Sequence, residues 1–113
     1  TSPTYEGIIS DVEAVVRVAH EAGIPLIVDS AHGAHLGYSP DFFPSPVSLG
    51  ADLVIESLHK TLPSMTQTAL LHRCTGLVDE RKVEKYLSMY ESSFLDGWRN
   101  FIRTVGDLKI YGF

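Results

Sequence analysis

The sequence predicts an α/β domain built on a mostly parallel sheet with flanking helices. Two observations carry this. A helical pattern over residues 11–22 ends at Gly23 and Pro25 and runs straight into Leu26-Ile27-Val28, a short apolar run closed by Asp29. Helix, glycine, buried strand is the cadence of an α/β sheet. A second apolar, partly β-branched run, Asp52-Leu53-Val54-Ile55-Glu56, has strand length and stops at the turn-forming Ser57–Pro63.

The elements follow in order. Thr1 to Gly7 is extended, with Pro3 biasing Ser2 away from helix. Ser10 or Asp11 can cap the first helix, and Glu13 stands three residues after Ser10 in capping-box spacing. Val12, Val15, Val16 and Ala19 give one apolar stripe. Gly23 suits the position after the last helical residue, and Pro25 blocks continuation. Ser30 to Pro46 is a loop rich in Gly and Pro, with a short turn of helix over 47–50. Thr68 to His72 reads as a further buried strand. Residues 79–91 form a helix with Val83, Tyr86, Leu87 and Tyr90 on one face, and Asp79, Glu80, Glu84 and Glu91 on a solvated face. Phe94, Leu95, Trp98, Phe101, Ile102, Val105 and Leu108 have helical spacing over 94–109 and suit core or a subunit interface.

At 113 residues the chain is one domain at most, with room for a modest core. A hydrophobic fraction of 44% and a charged fraction of 20% fit an ordinary globular chain. The net charge of -5 gives no electrostatic support to nucleic-acid binding or to an anionic membrane surface. The single cysteine, Cys74, excludes an internal disulfide framework and a Cys-based zinc site. No apolar run approaches the roughly 20 residues of a membrane span. The opening residues carry neither an initiator Met nor a signal-peptide pattern, so the expectation is a cytoplasmic fragment of a longer chain.

Chemistry concentrates at two strand ends. Lys60 closes Ser57-Leu58-His59-Lys60 at the exit of the second strand. Burying an ammonium is costly, so such a lysine either reaches water or is used. Desolvation and a neighbouring cation, His59, would lower its pKa and leave a nucleophilic amine. Asp29 begins Asp29-Ser30-Ala31-His32-Gly33-Ala34-His35 at the end of the first strand. One reading of Asp29, His32 and His35 is a metal site. Another is that Asp29 holds a cationic ring nitrogen, keeping a pyridine charged as an electron sink. The plain alternative is that Asp29 caps a turn and both histidines are loop polars. Ser57 and His59 suit a phosphate, with backbone N–H groups assisting; strand-end hydrogen bonding is the plain alternative. The chain holds no G-x-G-x-x-G, no Walker sequence and no nucleophile elbow. In open α/β sheets ligands gather at strand carboxyl ends, so the Asp29 and Lys60 groups are expected to share one crevice.

Four blocks resemble the Orn/Lys/Arg decarboxylase family. They are Thr1-Ser2-Pro3-Thr4-Tyr5-Glu6-Gly7, Val28 to His35, Ser57-Leu58-His59-Lys60-Thr61-Leu62-Pro63, and Thr66-Gln67-Thr68-Ala69. Their order and spacing cover residues 1 to 90. The resemblance implies a pyridoxal-phosphate enzyme of the aspartate-aminotransferase fold (fold type I), here as part of the cofactor-binding major domain. It implies that residues 1–93 form the C-terminal half of that domain; residues 94–113 carry little of the resemblance and are expected, from their spacing, to be a helical segment whose placement is not assigned.

The resemblance further implies the roles. Lys60 would form the Schiff base with pyridoxal 5'-phosphate, and Asp29 would pair with the pyridine nitrogen. Ala31 would pack under the ring, His32 would lie near the phenolic oxygen, and Ser57 and His59 would contact the phosphate. The reaction would remove CO₂ from a basic amino acid and give a polyamine-type amine, in a dimer or larger homo-oligomer. Two departures stand out. The family's earlier half, with its ring-stacking group, is not in this chain. After Tyr90-Glu91-Ser92-Ser93 a Ser-Pro-Ser-Tyr-like segment is expected, and Phe94-Leu95-Asp96 stands there instead.

Overall fold

A computed structural model describes residues 1–65, 68–91, 102–105 and 108–112. Helix α1 (Val12–Glu21) starts at Asp11, whose Oδ1 accepts from the Ala14 N–H at 3.0 Å. Asp11 is thus the cap; Ser10 instead donates its N–H to Ser2 Oγ at 3.1 Å. Gly23 takes a left-handed φ of 69° just past the helix, where a side chain would be strained. Val12 and Val16 form an i, i+4 row that is buried. Val15, expected on the same stripe, lies to the side of that row and is exposed.

Strand β1 (Ile27–Asp29) pairs in parallel with β2 (Leu53–Ser57), from Ile27↔Leu53 to Asp29↔Ile55. The segment between them, 30–52, is a series of turns. Residues 46–50 are turns, with Leu49 N–H donating to Pro46 C=O at 3.3 Å, so the helix expected over 47–50 does not form. A one-turn helix α2 (Leu58–Thr61) follows β2 directly, and β3 (Ala69–Arg73) returns antiparallel to it. Helix α3 (Glu80–Glu91) is capped by Asp79, whose Oδ1 accepts from the Lys82 N–H at 3.1 Å. Glu80 reaches Arg73 at 3.8 Å, so Asp79 and Glu80 are engaged rather than simply solvated. Strands β4 (Ile102–Val105) and β5 (Leu108–Gly112) complete a sheet of order β1-β2-β3-β5-β4.

Two expectations are corrected. The sheet is mixed rather than mostly parallel: only β1–β2 is parallel, and the other three pairings are antiparallel. Connection length explains this. A parallel return needs a crossover of about a dozen residues or more. Residues 30–52 supply that, whereas 58–68 return the chain directly and Val105↔Leu108 leaves a two-residue connection. The second correction concerns 94–109. Residues 102–105 and 108–109 are strand, not helix. β3 offers a free edge whose N–H and C=O groups must be paired, and Ile102, Thr104, Val105, Ile110 and Tyr111 are strand-favouring types. Phe94 to Phe101, Thr66 and Gln67 lie outside the described residues.

The core sits on one face of the sheet. Val12 and Val16 of α1 pack on Val28, Ala51 and Val54, with Leu26, Val47, Leu49 and Cys74 at the margin. On the opposite face Leu53 and Leu71 line an apolar cavity of about 390 Å³ with Val83 and Leu87 of α3. Helices therefore flank both faces. Among the described strands β1 has a neighbour on one side only, and Ile27 is 59% exposed, so of this strand only Val28 is buried. No helix among the described residues is long and apolar enough to cross a membrane.

Candidate functional site

The parallel pairing brings the carboxyl ends of β1 and β2 to one end of the sheet. Asp29 stands opposite Ile55, and Ser57 lies two residues beyond. Strand side chains alternate, so Asp29, Ile55 and Ser57 share the face away from α1. Asp29 is exposed there, and its Oδ1 accepts from the Ala31 N–H at 3.0 Å. This is the turn-capping contact foreseen as the plain alternative, and it fixes one carboxylate oxygen.

A tight turn follows. Ser30 N–H donates to Ile55 C=O at 2.8 Å and Gly33 N–H donates to Ser30 C=O at 2.8 Å. Gly33 is required here: a Cβ would strike Ser30 Oγ and come within 2.7 Å of Pro3 Cδ. The turn leaves Ala31 and His32 half-buried. The His32 ring meets Tyr5 edge-on, with centroids 5.4 Å apart. The Glu6 carboxyl is held below its ordinary value, first by its own backbone N–H and then by the Thr4 hydroxyl. His35 turns away and meets Phe42 edge-on at 5.3 Å. Asp29, His32 and His35 therefore do not converge, and no three metal-ligating side chains do so among the described residues.

The second strand end carries Ser57, His59 and Lys60. Ser57 stands at the N-cap of α2 but makes no side-chain capping bond. His59 Nδ1 lies 3.1 Å from Thr68 C=O and 3.2 Å from Thr68 N. Thr68 C=O already accepts from the Leu58 N–H at 2.9 Å. The tautomer that satisfies most groups has Nδ1 accept from Thr68 N–H, leaving Nε2–H as a donor. His59 thereby ties the lysine turn to the start of β3. Lys60 is exposed on α2. The desolvation invoked from sequence is therefore not supplied by the described residues, because the turn lifts the lysine off the strand.

Two buried carboxylates, one at the site end of β2 and one at its far end, were missed by sequence reasoning. Glu56, between Ile55 and Ser57, is buried, and its Oε2 lies 2.9 Å from Nε2 of the buried His72 on β3. Asp52, at the start of β2, is wholly buried and accepts from His20, from Leu26 N–H at 2.7 Å and from the Thr75 hydroxyl. Burial raises the Asp52 carboxyl, but the bonds from Thr75, His20 and Leu26 together hold it below its usual value. The available signal was a carboxylate at each end of an apolar strand, since a buried charge demands a partner.

Comparison with known proteins gives a consistent set of relatives. A family model described as Orn/Lys/Arg decarboxylase, major domain, matches residues 1–95. An uncharacterized protein of Bacillus subtilis, YaaO, is 42% identical over 94 residues, 82% of this chain and 20% of that protein. An arginine decarboxylase of the same organism is 38% identical over 88 residues, 78% of this chain and 18% of that enzyme. A homocysteine/cysteine synthase of Kluyveromyces lactis is 41% identical over 59 residues, 52% of this chain and 12% of that enzyme. The chain thus spans about a fifth or less of the length of the curated relatives it matches.

Proposed function

Since the chain belongs to the Orn/Lys/Arg decarboxylase family, we propose that it forms part of a pyridoxal-phosphate-dependent decarboxylase acting on arginine, lysine or ornithine. The products would be CO₂ and a polyamine-type amine. The observation that carries this reading is the gathering of Asp29, Ser57, His59 and Lys60 at the carboxyl ends of one parallel strand pair. The relatives support a cofactor role for this segment. A decarboxylase and a sulfur-amino-acid synthase share parts of it. A segment common to two different reactions serves what the reactions have in common, which points to the cofactor rather than the substrate.

The residues fit a phosphorylated pyridine aldehyde. Lys60 presents an exposed amine for covalent attachment. Asp29 keeps one carboxylate oxygen beyond its bond to Ala31, enough to hold a protonated ring nitrogen. Ser57, whose hydroxyl caps nothing, and Nε2–H of His59 are donors suited to a phosphate. Ala31 would offer a small apolar surface to the ring, and His32, whose ring meets Tyr5 edge-on, would lie near the phenolic oxygen. The cofactor supplies the electron sink for carbanion chemistry when bound. Asp29 would keep that sink charged, and Ser57 and His59 would fix the group's orientation.

In this reading residues 1–93 are the C-terminal half of a fold type I major domain, working in the cytoplasm as a dimer or larger homo-oligomer. The test is borohydride trapping. Protein incubated with pyridoxal phosphate is reduced, digested and mapped by mass spectrometry. The expected result is a phosphopyridoxyl group on Lys60. A protein that takes no adduct at Lys60 would sink the reading. It would leave a second one, a catalytically inactive α/β piece with an assembly or regulatory role. That alternative draws on the exposed Ile27 at the outer edge of β1.

A further inference from the structure

The turn that carries Lys60 is gripped from two sides. On one side His59 bonds the main chain of Thr68, and Leu58 N–H donates to the same residue. On the other side, Glu56 directly precedes Ser57, and its side chain points to the opposite face from Ser57. There it meets His72 of β3 diagonally, because Glu56 is opposite Leu70 and His72 is opposite Val54. Both residues are buried. Among the described residues the buried His72 Nδ1 has no hydrogen-bond partner, so Glu56 is the polar anchor of His72 on this face.

We infer that the Glu56–His72 pair is a positioning device for Lys60, holding the last residues of β2 at a fixed depth and register against β3. Three features support this. An apolar pair would pack without a directional bond, so a buried polar pair of this kind costs stability and yields geometry. The pair lies on the face opposite Ser57, so it acts on the turn through the backbone. It also complements the His59–Thr68 contact. One contact sets the strand before the turn and the other sets the loop after it. Displacing an attacking group by about 1 Å can cost on the order of 10²-fold in rate.

This inference rests on the reading of Lys60 as the attachment point. The experiment compares the rate of borohydride-trappable adduct formation at Lys60, at saturating pyridoxal phosphate, in four proteins. These are the wild type, Glu56→Leu, His72→Leu and the double variant Glu56→Leu/His72→Leu. Thermal midpoints and the induced circular dichroism of the bound chromophore are recorded alongside. Each single variant leaves a buried polar group unpaired and is expected to lower both midpoint and trapping rate. The double variant removes both polar groups and is expected to regain stability, as apolar replacements of buried pairs often do. Its trapping rate is expected to stay about tenfold below wild type, with altered dichroism per bound cofactor. A double variant that regains the wild-type rate along with its stability would overturn the inference and make the pair merely structural. A wild type without a Lys60 adduct would overturn the underlying site reading instead, whatever the variants do.

Discussion

Asp52 Oδ2 lies 2.8 Å from Nε2 of His20, and the aspartate is wholly shielded from water. One carboxylate thus joins the end of α1, the approach to β1 through Leu26 N–H, and the segment after β3 through Thr75. This knot lies at the end of the sheet opposite Asp29 and Ser57. It fixes the helix and three strands whose far ends carry the candidate site.

Asp52→Ala leaves several donors without an acceptor in a dry environment. The expected loss is about 3 kcal/mol of stability. Urea denaturation checks this, and an unchanged midpoint would remove Asp52 as a hub.

The same carboxylate sets an acid limit. Its folded pKa is lowered from 3.8, so the unfolded chain binds the proton more tightly. The stabilisation is fully present above the unfolded value and is lost as pH falls through the folded one. Stability from this group should be flat above about pH 5 and decline below pH 4. In Asp52→Asn that component of the acid limb should be absent from a pH series of denaturation midpoints.

Gly33→Ala pushes a methyl group against Ser30 Oγ and Pro3 Cδ. Overpacking of this kind costs about 1–3 kcal/mol. The turn that follows Asp29 should also loosen. Calorimetry reads the first effect and amide exchange at Ser30 and Gly33 reads the second.

Cys74 is half-buried near Asp52 and Glu56. Burial first, then the two carboxylates, push its thiol up to about 11 from 9.0. At pH 8 the thiolate population is about 100-fold below that of an ordinary thiol, so alkylation by iodoacetamide should slow accordingly. In denaturant the rate should return to that of a free thiol. A fast native reaction would contradict the burial.

Asp29→Asn keeps the shape of the strand end and removes the charge proposed to hold the ring nitrogen. In the decarboxylase proposed above, turnover should fall on the order of 10²-fold, while trapping at Lys60 persists. Loss of both together would point to a failure of binding rather than of electronics.

The sequence by itself determined a good deal. Gly23 and Pro25 marked the end of α1, and the apolar runs before Asp29 and Ser57 marked two strands. Local signals suffice where the physical cause is local: a cap, a left-handed glycine, a buried run. The four motif blocks also carried the family, because their spacing is written in the chain. Tertiary structure decided the rest. Residues 102–105 and 108–112 have helical spacing in part, yet they form strands because β3 presents an edge to pair with. The hairpin cue was Gly106-Asp107, a dipeptide suited to two-residue connections. Lys60 is lifted into solvent by α2 rather than desolvated, which depends on how the turn meets Thr68. Glu56 and His72 lie 16 positions apart and Asp52 and His20 lie 32 apart. Sequence announces that each buried charge needs a partner, but which partner it finds is set by strand register and helix packing, since only the folded sheet brings those side chains within bonding distance.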